Sequence, residues 1–116
     1  MLTGIPIRFE DGSTIFAEGD AAADLYRIRS GTVVLTQSDR HGAADVEIAR
    51  LGAGEFFGEM AVFDPGPRSA TAVAVGDVDL EAIDRPTFLA SMDDPEALEL
   101  LAEMARRIRG EGTSGA

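Results

Sequence analysis

Gly54-Glu55-Phe56-Phe57-Gly58-Glu59-Met60-Ala61-Val62-Phe63-Asp64-Pro65-Gly66-Pro67-Arg68-Ser69-Ala70-Thr71 is the stretch around which the chain is read. Glycines let a backbone approach a ligand closely, and the short apolar run after Glu59 is predicted to wind one helical turn whose free N–H groups point at an anion. Arg68 stands nine residues after Glu59 and supplies a planar guanidinium suited to gripping two phosphate oxygens at once. The pattern is an anion cradle that keeps one carboxylate.

An acid beside a phosphate site is repulsive unless it faces something else. A ribose 2′-OH is the natural donor for it, as in dinucleotide folds. Cradle, arginine and acid together describe a small ribonucleotide with one compact phosphate.

Phe57-Gly58-Glu59-Met60-Ala61-Val62 and Arg68-Ser69-Ala70-Thr71 resemble, position by position, the phosphate-binding cassette of the cyclic-nucleotide-binding domain family. The resemblance implies that Glu59 holds the ribose 2′-OH and Arg68 the cyclic phosphate, with backbone N–H groups near Gly58, Ala61 and Ser69 completing the phosphate contacts. The ligand-binding residues it assigns are Phe57, Gly58, Glu59, Met60, Ala61, Arg68, Ser69 and Ala70. It runs from about Thr14 to Arg109 and implies an eight-stranded β-roll, or jelly roll, with a short cassette helix and C-terminal helices. Ser69 after the arginine is compatible with either purine in this family. Arg-Ser in its bacterial members favours cAMP over cGMP.

At 116 residues the chain makes one domain with a modest core. Its 45% hydrophobic and 27% charged content is that of an ordinary globular chain. No apolar run approaches a membrane span, and Met1-Leu2-Thr3-Gly4-Ile5-Pro6 lacks the basic and apolar regions of a signal peptide, so a cytoplasmic location is expected. Without cysteine there is no thiolate nucleophile or disulfide, and the single His41, read as a solvated loop residue, cannot build a multi-histidine metal centre. A formal charge of −11 argues against direct nucleic-acid binding, which needs a basic face. An acidic chain that binds an anion must rely on local geometry, which raises the importance of Arg68 and the backbone donors.

The N-terminal half reads as strands. Ile5–Phe9 is extended, with Pro6 favouring an edge; Asp11-Gly12 is a turn, and Ser13–Phe16 is a brief strand. Tyr26 and Ile28 alternate with Arg27 and Arg29. Ser30-Gly31 reads as a tight hairpin into Thr32–Thr36, and residues 45–51 alternate again. After the cassette, residues 70–75 and 78–83 read as two strands around Gly76-Asp77. Such spacing suggests a sandwich or rolled barrel. Val33, Val46 and Ile48 are candidates for the apolar wall of the purine.

The period then changes. Pro86 opens a short helix carrying Phe88, Leu89 and Met92 on one side; Asp94-Pro95-Glu96 opens a second, with Leu98, Leu101, Ala105 and Ile108 at helical spacing. Gly110 ends it, so residues 1–110 form the domain and 111–116 a flexible tail. In the family this helix folds over the ligand as a lid, and Arg106 or Arg107 would then stack on the base. Neither a helix-turn-helix after Arg109 nor the helix that usually precedes the first strand is present, which reads as a stand-alone domain, or as part of a longer protein.

The functional expectation is a non-enzymatic sensor, with no cofactor or metal, that binds cAMP or cGMP and signals by moving its C-terminal helix toward a protein partner or a second copy. A degenerate member serving as an interaction or dimerisation module is the alternative. A cupin-like metalloenzyme fits poorly with one histidine.

Overall fold

The computed structural model describes residues 4–38, 45–58, 67–91 and 93–108, the side chains of 96 and 104–108 excepted. Among them six strands run β1 (Ile5–Phe9), β2 (Thr14–Phe16), β3 (Asp24–Ser38), β4 (Asp45–Leu51), β5 (Phe56–Phe57) and β6 (Thr71–Asp84), followed by helices α1 (Arg85–Ala90) and α2 (Pro95–Ile108). All strand pairs are antiparallel, in the order β1-β6-β3-β4, with β2 on β6 and β5 on β3. The architecture is mainly β.

Two long strands, β3 and β6, form the spine. Side chains alternate between faces along a strand, so each spine strand feeds two cores. One face buries Ile28, Val33, Leu35, Ala72, Ala74, Val78 and Leu80 with Phe16 and Phe57. Near the strands' other ends, the paired residues Leu25 and Ile83 bury against Phe88 of α1 and Ala97 and Leu100 of α2. The small Ala72 stands opposite Phe16, which leaves room for an aromatic ring inside.

Two expected chain reversals are absent. Ser30-Gly31 is not a hairpin but the middle of β3, and Gly76-Asp77 lies within β6. Among the described residues the strands number six, against the eight that the family resemblance implies. Gly31 and Gly76 take φ of +97° and +74°, which a hairpin needs but a β-bulge needs equally. The register shows two bulges: Ile28 pairs with Leu80, Ser30 with Asp79 and Thr32 with Val75, so the extra residue of the first is Arg29 on β3 and the extra residues of the second lie on β6. A Cβ on Gly31 would sit 2.6 Å from the Asp77 carbonyl oxygen, so the backbones meet too closely for any side chain there. Asp77 secures the bend by accepting from the Asp11 N–H and the Arg8 side chain.

Among the described residues the C-terminal helices follow the expected stripe at Phe88 and depart from it at Leu89 and Leu98. Asp84 caps α1 by accepting from the Thr87 N–H at 2.7 Å, with Pro86 in the first turn. Phe88 is buried, but Leu89 points outward, because one turn of helix against a sheet end buries only one side chain. Among the described side chains of α2, Ala97 and Leu100 are buried; Leu98, expected in the stripe, is half exposed. The expected cassette helix, Met92, and the tail lie outside the described residues.

Candidate functional site

Strand β5 delivers the first half of the cassette. Phe57 pairs with Tyr26 and is fully buried; Gly58 follows at φ +71°. The second half is delivered by a backbone clasp. Pro67 bridges to Ala21, the Arg68 N–H donates to the Asp20 carbonyl at 2.7 Å, and the Gly19 N–H donates to the Arg68 carbonyl at 2.9 Å. Asp20 steadies that loop by accepting from the Ala17 N–H.

The clasp turns the Arg68 side chain inward, where only 6% of the residue is exposed. Nη1 donates to the Gly58 carbonyl at 3.1 Å and Nη2 to the Asp24 carbonyl at 2.6 Å. The guanidinium carbon lies 4.1 Å from the centre of the Phe16 ring and 5.8 Å from that of Tyr26. A Cβ on Gly58 would stand 2.7 Å from Nη1. Glycine is therefore required there twice, for its positive φ and for the approach of the cation.

Burial raises the Tyr26 phenol above its ordinary value, and the Arg68 charge opposes that shift without cancelling it. Two carbonyl dipoles, an aromatic face and a phenol thus surround one cation, which can offer its charge and its N–H groups to a bound anion. Among the described residues no cluster of carboxylates and imidazoles could hold a metal.

Of the expected site residues, the structure brings Phe57, Gly58 and Arg68 together. Ser69 is exposed beside them, and its carbonyl accepts from Gln37 Nε2 at 2.8 Å. Ala70 is fully buried in the inner core, as Phe57 is. Glu59, Met60 and Ala61 lie outside the described residues, as do His41 and the side chains of Arg106 and Arg107. Of the three candidate wall residues, Val33 is wholly inside the core and Ile48 packs against it in part. Val46 is 52% exposed and faces the same side as its cross-strand partner Gln37.

Sequence reasoning missed Phe16, Asp24 and Gln37, and read Tyr26 only as a strand residue. Their meeting at Arg68, or for Gln37 at Ser69, follows from strand pairing and not from spacing.

Comparison with known proteins gives concordant results. The sequence profile of the family described as "Cyclic nucleotide-binding domain" matches residues 6–94. A CRP-like cAMP-activated global transcriptional regulator of Mycobacterium tuberculosis is 37% identical over 106 residues, covering 90% of this chain and 47% of the relative. A cyclic AMP receptor protein of Thermus thermophilus is 42% identical over 103 residues, covering 87% and 47%. The crystal structure of the Thermus thermophilus catabolite activator protein superposes with a TM-score of 0.83 at 38% identity, covering 93% of this chain and 51% of that one. The chain thus spans about half the length of the relatives it matches, neither of which is named for an enzymatic activity.

Proposed function

The chain belongs to the cyclic nucleotide-binding domain family, and from that premise we propose that it is a sensor domain that binds a cyclic nucleotide, cAMP in preference to cGMP. The observation that carries this reading is the meeting of the two cassette halves, Arg68 Nη1 with the Gly58 carbonyl, ten positions apart in sequence. Arg68 grips the cyclic phosphate, Glu59 the ribose 2′-OH, and the backbone near Gly58, Ala61 and Ser69 completes the phosphate seat. Phe57, Met60 and Ala70 back that seat, and Val46 and Ile48 line the purine side. The names of the relatives support cAMP as the ligand.

The domain occupies residues 1–110. It passes the signal on through α2, whose position changes with the ligand and alters its contact with a protein partner or a second copy. It acts in the cytoplasm and does not itself contact DNA, for which its charge of −11 is unsuited.

Titration calorimetry against cAMP and cGMP tests the reading. Saturable binding of cAMP, weaker binding of cGMP, and poor binding of the 2′-deoxy analogue are expected. Glu59→Ala should cost roughly 1–3 kcal/mol, the worth of a hydrogen bond to a charged group. Solution scattering that shows neither helix movement nor a change of assembly with ligand would remove the signalling step.

One observation favours a second reading, a scaffold that keeps the fold without the ligand. Arg68 already donates to two backbone carbonyls, as a purely structural arginine does. Absence of heat with either nucleotide would select the scaffold.

A further inference from the structure

A guanidinium that grips two phosphate oxygens must present its plane as well as its charge. The two carbonyl bonds of Arg68 settle where its fork points. The remaining tilt of the plane depends on the side chains beside it: the Tyr26 phenol, hydrogen-bonded to Arg68, and, nearest of the rings, Phe16, whose centre lies 4.1 Å from the guanidinium carbon.

Phe16 is itself held. Its ring centre lies 6.0 Å from that of Tyr26 and 5.9 Å from that of Phe57, and these two rings stack on each other at 5.2 Å with 21° between their planes. Each ring comes from a different strand, β2, β3 and β5. The platform is therefore built by the tertiary fold. It is also dry: Phe16 is 6% exposed and Phe57 fully buried. A cation against an aromatic face is held more firmly there than at the surface.

We infer that Phe16 is the positioning residue for Arg68: its ring fixes the guanidinium plane in the attitude that bidentate phosphate recognition requires, without itself touching the ligand. The inference rests on the proposed reading of Arg68 as the phosphate grip. It adds a specificity-bearing role to a side chain that otherwise looks like ordinary core.

A double-mutant cycle with Phe16→Leu and Arg68→Lys, read by cAMP titration, tests it. Phe16→Leu should weaken binding about five- to tenfold in the parent, between the worth of an exposed and of a desolvated cation–π contact. It should matter little beside Arg68→Lys, because an ammonium has no plane to hold. Phe16→Tyr, which keeps the ring, should bind like the parent. Equal losses from Phe16→Leu in both backgrounds, or a loss that Phe16→Tyr does not rescue, would overturn the inference.

A second readout needs no ligand. The chain has one tyrosine and no tryptophan, so absorbance at alkaline pH follows the Tyr26 phenol alone. Arg68 pulls the Tyr26 pKa down against the effect of burial. If Phe16 holds the cation near, Phe16→Leu lets it withdraw, and Tyr26 ionises at higher pH than in the parent. If Phe16 merely fills space, its loss admits water, and Tyr26 ionises at the same or lower pH, which overturns the inference. A parent that binds no cyclic nucleotide would sink the proposed function, while the phenol titration would still decide whether Phe16 positions Arg68.

Discussion

Arg27 and Arg68 are both withdrawn from solvent and both lie over a phenylalanine, yet they are met by different chemistry. Arg27 donates through Nε and Nη2 to one Glu81 oxygen at 2.9 and 2.8 Å, both side chains being 12% exposed, and its guanidinium carbon lies 5.7 Å from the centre of the Phe56 ring. Arg68 donates to the carbonyls of Gly58 and Asp24 and lies over Phe16. The neighbours Phe56 and Phe57 serve opposite faces, one with the helix-side cluster and the other with the inner core. A carboxylate neutralises the cation it holds. The carbonyls of Gly58 and Asp24 orient the Arg68 guanidinium, so an anion reaching Arg68 meets a fork already in place.

The comparison breaks most sharply at the arginines themselves. Arg68→Ala should cost about 2–5 kcal/mol of cyclic-nucleotide affinity, the usual loss when one partner of a buried charge pair is truncated. Arg27→Ala should leave the calorimetric affinity nearly unchanged. It should instead lower stability by about 3 kcal/mol, at the low end for a broken buried pair because Arg29 and the Gly4 N–H still reach Glu81. If Arg27→Ala weakened binding as much as Arg68→Ala did, the division between a structural and a ligand-facing arginine would be lost.

Acid sharpens the same contrast. Burial alone would raise the Glu81 carboxyl, but the Gly4 N–H and the Arg27 and Arg29 guanidinium groups outweigh it and hold the group below the usual carboxylate range. A folded-state pKa below the unfolded one stabilises the fold fully above the ordinary carboxyl value. That contribution disappears as pH falls through the lower, folded value. Thermal unfolding followed from neutral to acidic pH should therefore lose stability in that window. Glu81→Gln should flatten the acid limb while starting from a lower melting temperature, and an unchanged slope would show that other carboxylates govern acid unfolding.

The two arginines were not equally readable beforehand. Arg68 stood out because its cassette is local: the glycine, the acid and the arginine fall within a dozen residues, and their chemistry converges on one ligand. Arg27 was read only as the outward partner of Tyr26 in an alternating strand, since Glu81 is 54 positions away and nothing nearby announces it. Phe16, Asp24 and Gln37 were hidden for the same reason. Positive-φ glycines misled in the other direction. Gly31 and Gly76 carry the same signal whether a strand turns back or kinks, and only the partner strand decides which. Of the helix positions, Phe88 is buried as its spacing suggested, whereas Leu98 and Leu89 lie beyond the edge of what the sheet can cover.

Gln37 offers the smallest and most selective test of the ligand side. Its Nε2 holds the Ser69 carbonyl from β3, and that carbonyl belongs to the Ser69–Ala70 peptide, one peptide beyond the arginine's own. Gln37→Leu keeps the volume and leaves the exposed carbonyl to water, so stability should move by only a few tenths of a kcal/mol. Affinity should fall by about 0.5–1.5 kcal/mol, the net worth of one hydrogen bond, because the peptide beside Arg68 gains freedom that binding must then remove. Gln37→Glu should cost more, since a carboxylate cannot donate to the Ser69 carbonyl and would bring negative charge toward a phosphate. Equal affinities for the Leu and Glu variants would place Gln37 outside the reach of the ligand and return Ser69 to the role of a surface turn.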